Sequence, residues 1–340
     1  MNITLIIGNG FDLNLGLPTS YGDFYPYYLL EKTEKIIQKE LEENPADWSD
    51  LEKQLGKISL KYSDYQTYID DIDHVADKLT DYLKEVNKIE IPELPQVSQI
   101  VYNDLCDFTR YLDTPQKNDM DRFIASIPNS DEINLNVLTF NYTSVFERIQ
   151  ELWAQKLQLG RIKEVQIYHI HQQLDESGIL LGVNNTAQID NVAFHDNYYV
   201  KAAIIKPFIN SSIQSGIDKA CQEAIRKSHI LIVFGTSLGV TDQYWWDFIG
   251  SSLQANAKRL VYCPFDNEHI TQTRKLLIQN RKFSDFVVQR LRQGDAIRSK
   301  IITLRERQLF RFPIPPERLQ QNHSKIIRQA LEDQATTLLL

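Results

Sequence analysis

Ile3-Thr4-Leu5-Ile6-Ile7 is an almost unbroken apolar run that stops at Gly8-Asn9-Gly10. A run this short, rich in β-branched residues and closed by glycines, predicts a buried strand leading into a tight loop. Ser20, with Asp23 three residues later, then opens a helix in the manner of a capping box, and Pro26 lies early enough in it to be tolerated. From Tyr65 the apolar positions Tyr68, Ile69, Ile72, Val75, Ala76, Leu79, Tyr82 and Leu83 recur at spacings of three and four. That period predicts a long amphipathic helix. Ile91-Pro92-Glu93-Leu94-Pro95 breaks it, and a further helical pattern runs from Val97 to Leu112. Residues 31–125 thus read as an all-helical insertion.

Strand patterns return beyond it. Asn134 to Phe140 predicts a strand ending in Asn141-Tyr142-Thr143, and a helix follows from about Ser144 to Leu157. Val165 to His171 alternates as a strand does, and a second apolar run, Gly178 to Val183, leads to Asn184-Asn185. Asn185 to Tyr199 is polar and aromatic and reads as a loop; Ile217 to Lys227 reads as a helix. His229 to Gly235 is the strongest strand candidate and ends in Thr236-Ser237-Leu238-Gly239-Val240. A helix and one more strand, Lys258 to Cys263, complete the pattern. Strands alternating with helices predict an α/β fold of the Rossmann type, a parallel sheet covered by helices. Its core would comprise residues 1–30 and 126–265, with a mostly helical C-terminal region over 266–340. Ligands on such sheets bind at the carboxyl ends of strands. The polar strand ends Gly8-Asn9-Gly10, Asn141, His171 and Gly235-Thr236-Ser237 meet there if their strands are neighbours.

Of the 340 residues 42% are hydrophobic and 24% charged, values that fit a globular protein with a full core. No apolar run reaches the length of a membrane span, and the first residues lack a basic segment with a cleavage site, so a cytoplasmic protein without a membrane partner is expected. Cys106, Cys221 and Cys263 are scattered, so neither a zinc site nor a disulfide framework is expected. The net charge of −8 argues against a surface coated by nucleic acid, but the charge is uneven. Arg274 to Arg328 holds 14 Lys and Arg against 4 Asp and Glu, which leaves −18 for the rest of the chain. That basic region is either a solvated helical face on an acidic body or a contact for nucleic acid or an acidic protein. Charge reversal at Arg305 and Arg307 separates the two.

Each candidate site residue has a structural reading beside its chemical one. Gly8 and Gly10 either turn the chain out of its strand or open its backbone to a phosphate, and Leu13 stands where a full dinucleotide fingerprint has its third glycine. Asn141 serves as a turn residue or a ligand contact; Thr236 and Ser237 cap a helix or meet a ligand. Asp12 and Asp23 order their loop or reach a ligand. His169 and His171, two apart, would share one strand face. They lack an obvious third metal ligand, and His169 also fits a structural role. Trp48 and Glu52, one helical turn apart, read as packing and surface, and Cys263 as a buried strand end.

The segments GNGFDLNLGLPTSYGDF (8–24), Trp48-Ser49-Asp50-Leu51-Glu52, FNYT (140–143), HIH (169–171) and FGTSLGVTDQYW (234–245) resemble the AbiH family of bacteriophage abortive-infection proteins. That family is in turn similar to sirtuin-like proteins, whose pattern is a glycine-rich loop with G-[IL]-P, an Asn-containing strand end, a catalytic His-Gly pair and G-T-S-L. Gly16-Leu17-Pro18, Asn141, His171 and Gly235-Thr236-Ser237-Leu238 occur in the same order, and the likeness covers residues 1–30 and 130–265. It implies a sirtuin-like fold and an NAD⁺ glycohydrolase that depletes NAD in phage defence. Asn141 would orient the ribose or a water, and His171 would act as base, a role suited to imidazole. Gly8, Asn9, Gly10, Gly235, Thr236 and Ser237 would hold the pyrophosphate, and Asp12 and Asp23 would order the loop or contact the ribose. A phage-derived activator and assembly into oligomers belong to the same expectation. Two features depart from the sirtuin pattern. Only Cys221 and Cys263 follow His171, so the four-cysteine zinc module is missing and deacylation is not expected. Gln172 also replaces the glycine after the histidine, which predicts crowding of the site or a shifted ring. The alternative is an NAD or ADP-ribose sensor whose basic region contacts nucleic acid or a partner protein.

Overall fold

The computed structural model describes residues 1–153, 158, 160–174, 178–213, 216–264, 272–304 and 308–337. Six strands form one parallel sheet: β1 (Asn2–Ile7), β2 (Ile133–Thr139), β3 (Ile162–His169), β4 (Ile230–Phe234), β5 (Arg259–Cys263) and β6 (Ile301–Thr303). Their order is β3-β2-β1-β4-β5-β6, that of a doubly wound dinucleotide-binding sheet. The chain steps outward from β1 to β2 and β3, then returns to lay β4 against the other side of β1. Ile7 pairs with Thr139 and with Phe234, and Thr139 with His169, so four strands end at one level. This register brings the polar strand ends together.

Both faces of the sheet are covered, which is why its strands are apolar nearly throughout. Ile3, Leu5 and Ile7, with Val137 and Ile232, belong to a core that continues through the helices between β1 and β2. Ile6, Leu138, Leu231 and Val233 face the opposite core, built by the helices Ile217–Lys227, Gln243–Ala255 and Thr273–Leu291. Residues 31–125 contain helices and no strand. The longest helix, Tyr65–Asn87, buries Tyr68, Ile72, Val75, Leu79 and Tyr82 as the period predicts. No helix among the described residues is long and apolar enough to cross a membrane.

The sequence reading differs from the structure at several places. The second proline of the expected break, Pro95, lies in the first turn of the helix Leu94–Cys106, where its missing N–H has no intrahelical partner to lose. The helix expected to run to Leu157 is Val145–Gln150 followed by a 3₁₀ turn, Glu151–Trp153; residues 154–157 lie outside the described residues. Gly178 to Val183 stays out of the sheet, its one ladder contact among the described residues being the bridge between Val183 and Ile205. The tail is mostly helical as expected, but it also supplies β6, a strand of three residues and too short to show a period. Its positive charge is also divided. The helix Thr273–Leu291 packs on Gln243–Ala255, whereas Arg318–Thr337 packs on the helix Tyr21–Tyr28. Arg281 and Arg298 pair with Asp285, and Arg292 pairs with Asp247; Arg305 and Arg307 lie outside the described residues.

Candidate functional site

The loops that follow β1 and β4 lie in backbone contact. The Gly8 N–H donates to the Phe234 carbonyl at 3.1 Å and the Gly10 N–H to the Gly235 carbonyl at 2.7 Å. A Cβ on Gly8 would stand 2.8 Å from the Gly235 oxygen, and one on Gly10 would stand 2.7 Å from the Gly235 Cα. Gly235 itself has φ +69°, the left-handed region that favours glycine. These three glycines therefore let two strand ends approach, and both N–H groups are committed to that seam. Above it opens a cleft of about 370 Å³. Gly8, Asn9, Asp12, Asn141, His171, Gly235, Thr236 and Ser237 line it, together with Thr19, Ser20, Asp50 and Glu52. Gly10 and Asp23 do not. Asp23 instead completes the cap of the helix Tyr21–Tyr28, accepting from the Ser20 N–H at 3.1 Å.

Asp12 is buried behind Asn141. Its carboxyl accepts from the Asn141 side-chain amide at 2.9 Å and from the Thr143 hydroxyl at 2.5 Å. Burial pushes this carboxyl up to about 7, against the pull of those two donors. The Asn141 backbone is held as well, its N–H donating to the Thr139 hydroxyl at 3.0 Å and its carbonyl lying 3.0 Å from His169 Nδ1. The other His169 nitrogen, Nε2, lies 2.6 Å from Glu147. His169 thus braces the strand end.

His171 belongs to a different network. It lies beyond the end of β3, so the two histidines do not share a strand face as their spacing suggested. Its Nε2 lies 2.8 Å from Asp242 Oδ1, and the same oxygen lies 2.7 Å from Lys206 Nζ. Lys206 donates to both oxygens of Glu52 at 2.9 and 2.8 Å. Four elements meet here: the turn after β3, the 3₁₀ turn Val240–Asp242, the helix Lys206–Ile213 and the insertion helix Leu51–Ile58. Burial pushes Asp242 upward, but Lys206 and His171 outweigh it and hold the carboxyl well below the usual carboxylate range. Burial likewise opposes the charge on Lys206, and Asp242 and Glu52 overcome it, so the ammonium is held above its ordinary value. Asp242 and Lys206 therefore both keep their charges. The Phe140 ring meets the imidazole edge-on at 5.2 Å. Gln172 adopts φ +66° and is absent from the cleft lining, so it neither crowds the cleft nor holds the ring.

The sequence reading missed Lys206 and Asp242 and took Glu52 for a surface residue, although it is buried. The one signal for Lys206 is a lone lysine inside the apolar run Ala202 to Phe208. Among the described residues no three His, Cys, Asp or Glu side chains are grouped as metal ligands.

The profile of the family described as bacteriophage abortive infection AbiH matches residues 4–263. The chain belongs to the AbiH family. The match takes in every cleft residue from Gly8 to Asp242 and ends with β5, so β6 and the tail beyond it lie outside. AbiH membership implies a role in abortive infection by bacteriophage. A comparison with curated proteins finds no match.

Proposed function

We propose that this AbiH chain hydrolyses NAD⁺ at the glycosidic bond to nicotinamide and so depletes NAD during infection. The observation that carries the reading is the meeting of two groups in one cleft, at the ends of adjacent parallel strands. One is a carboxamide fixed on Asp12; the other is an imidazole whose Nε2 is held by an ionised carboxylate. Nicotinamide leaves NAD⁺ as a neutral base, so no general acid is required. The site must instead support positive charge at the anomeric carbon and direct a water to it.

The charge of the cleft fits that demand. Asp12, Asp50, Glu52 and Asp242 line it, and no Lys or Arg does so among the described residues. The pyrophosphate would rest on neutral donors, for which the hydroxyls of Thr236 and Ser237 line the cleft; those of Thr19 and Ser20 already donate to Asn9 and Asp23. With Nε2 facing Asp242, Nδ1 is the ring atom left to take a proton from the attacking water. The water oxygen bonds the anomeric carbon as the C–N bond breaks. The proton passes through the ring to solvent, and ADP-ribose and nicotinamide are released. Asn141 would hold the water or a ribose hydroxyl in line.

The test is incubation of the purified protein with NAD⁺, with and without phage lysate, following nicotinamide and ADP-ribose by chromatography. His171→Ala and Asn141→Ala should each lower release by about 10²–10⁴-fold while keeping cooperative unfolding. Unchanged turnover in both variants would sink the assignment. Silence in every condition, with NAD⁺ still raising the unfolding temperature, would turn the reading toward an NAD sensor.

A further inference from the structure

His171 can accept a proton only while its ring is neutral. Asp242 endangers that state, because a carboxylate 2.8 Å from Nε2 stabilises the doubly protonated imidazolium. The opposing charge is Lys206, which reaches the very oxygen that faces the ring. Glu52 takes the other side of the ammonium with both of its oxygens. His171, Lys206 and Glu52 are buried and the Asp242 side chain is only 15% exposed, so water screens little of this.

We propose that Lys206 is a positioning residue that keeps the His171 ring neutral with its proton on Nε2, and that Glu52 sets the strength of that effect. This deepens the reading of His171 as the base for NAD⁺ hydrolysis and rests on it for its functional meaning. Lys206 draws down the negative charge that the ring feels at Asp242. Glu52 shares the lysine, so that Asp242 retains enough charge to orient Nε2–H. Because Glu52 is carried by the helix Leu51–Ile58, the helical insertion completes the site. The other ionisable groups facing this network have smaller claims on the ring. Tyr21, partly buried, and Tyr142, buried, are phenols held far above their ordinary range, first by desolvation and then by Glu52, and remain neutral. Asp218, behind Lys206 and Asp242, is bound to Asn210 at 2.9 Å. Asp12 faces Asn141, and His169 faces Glu147.

The experiment follows the ring itself in the full chain labelled with ¹⁵N-histidine, by long-range ¹H–¹⁵N correlation across a pH series. His171→Gln identifies the signal. Wild-type protein should show the neutral ring protonated on Nε2. Lys206→Met should raise the midpoint of ring protonation by about one pH unit, and Glu52→Gln should lower it. Lys206→Arg, which keeps the charge, should stay close to wild type. Opposite shifts from two neighbours are the signature, because structural damage alone would move both variants the same way. If Lys206→Met does not fold, Glu52→Gln decides by the sign of its shift. A midpoint that does not move, or that moves upward, in a folded Glu52→Gln protein would overturn the proposal, as would a neutral ring protonated on Nδ1 in the wild type. Because the measurement needs no turnover, the charge relay stands or falls separately from NAD⁺ hydrolysis. Opposite ring shifts without nicotinamide release would remove the enzyme reading and leave the relay in place.

Discussion

Asp12, fully buried, and Asp242, largely buried, are two carboxyls lining one cleft, and they end in opposite states. Burial pushes both upward. Asp12 has only neutral donors, Asn141 and Thr143, and its carboxyl rises to about 7. Asp242 has an ammonium at 2.7 Å and an imidazole at 2.8 Å, and it is held well below the carboxylate range. Hydrogen bonds reduce the cost of burying a carboxylate, whereas an adjacent cation reverses it. The cleft thus contains one carboxyl able to change charge near neutrality and one that stays charged. The first fixes a carboxamide and the second orients an imidazole.

The comparison breaks most severely if the cation is removed. Lys206→Met leaves Glu52 and Asp242 buried without their counter-charge, so Asp242 is forced toward the condition of Asp12. The expected loss is about 5 kcal/mol, at the upper end for a broken buried pair because two carboxylates are stranded. Urea unfolding at neutral pH measures it. Pairing the change with Glu52→Gln should recover part of the loss, since one stranded charge is then gone. A loss below about 1 kcal/mol, the scale of an exposed ion pair, would mean that the lysine escapes to solvent.

The two networks also differ in how far the sequence disclosed them. Asp12 and Asn141 follow strands whose apolar runs are strong, and β1 and β2 pair directly, so their meeting follows from the α/β pattern. His171 and Gly235-Thr236-Ser237 were legible for the same reason. Lys206 lies 154 residues from Glu52, on a helix of the stretch after β3, and no period in the chain relates them. Only the three-dimensional path of the insertion over the cleft joins the two. The glycines show the reverse limit. Their positions were legible, but their use was not. Gly8 and Gly10 direct their N–H groups to the β4 loop, because a strand end that must touch its neighbour's backbone needs the same residue as one that must touch a phosphate.

A second effect, somewhat smaller, appears in the pH dependence of stability. Folded Asp12 keeps its proton up to about pH 7, whereas the unfolded chain releases it near the ordinary value of 3.8. The folded state therefore binds the extra proton between those limits. Stability from this group is fully present below about pH 4 and is lost as the pH rises through 7. A separation of this size corresponds to an effect on the order of 4 kcal/mol. Asp12→Asn should flatten this component of the stability profile between pH 4 and 7, with urea titrations at several pH values as the measure. Asp242→Asn should not flatten it, since Asp242 is already ionised across that window. An Asp12→Asn profile as steep as wild type would place the titrating group elsewhere.

The smallest effect concerns the residue that departs from the glycine of the sirtuin pattern. Gln172 follows the ring-bearing His171 and holds φ +66°, with its N–H donating to the His169 carbonyl at 3.3 Å. The backbone there keeps the conformation that glycine adopts freely, so the substitution is expressed as strain in the chain. A side chain in this region costs about 1–2 kcal/mol, while a glycine costs about 0.5–1 kcal/mol through the freedom it adds to the unfolded chain. Gln172→Gly should therefore stabilise the protein by no more than about 1 kcal/mol, read as a small rise in unfolding temperature. Nicotinamide release should not change, because Asp242 fixes the His171 ring and Gln172 does not line the cleft. A fall in stability would show that the glutamine side chain packs against something that repays its backbone. A tenfold change in release at unchanged stability would show instead that the turn after β3, rather than Asp242, sets the position of the ring.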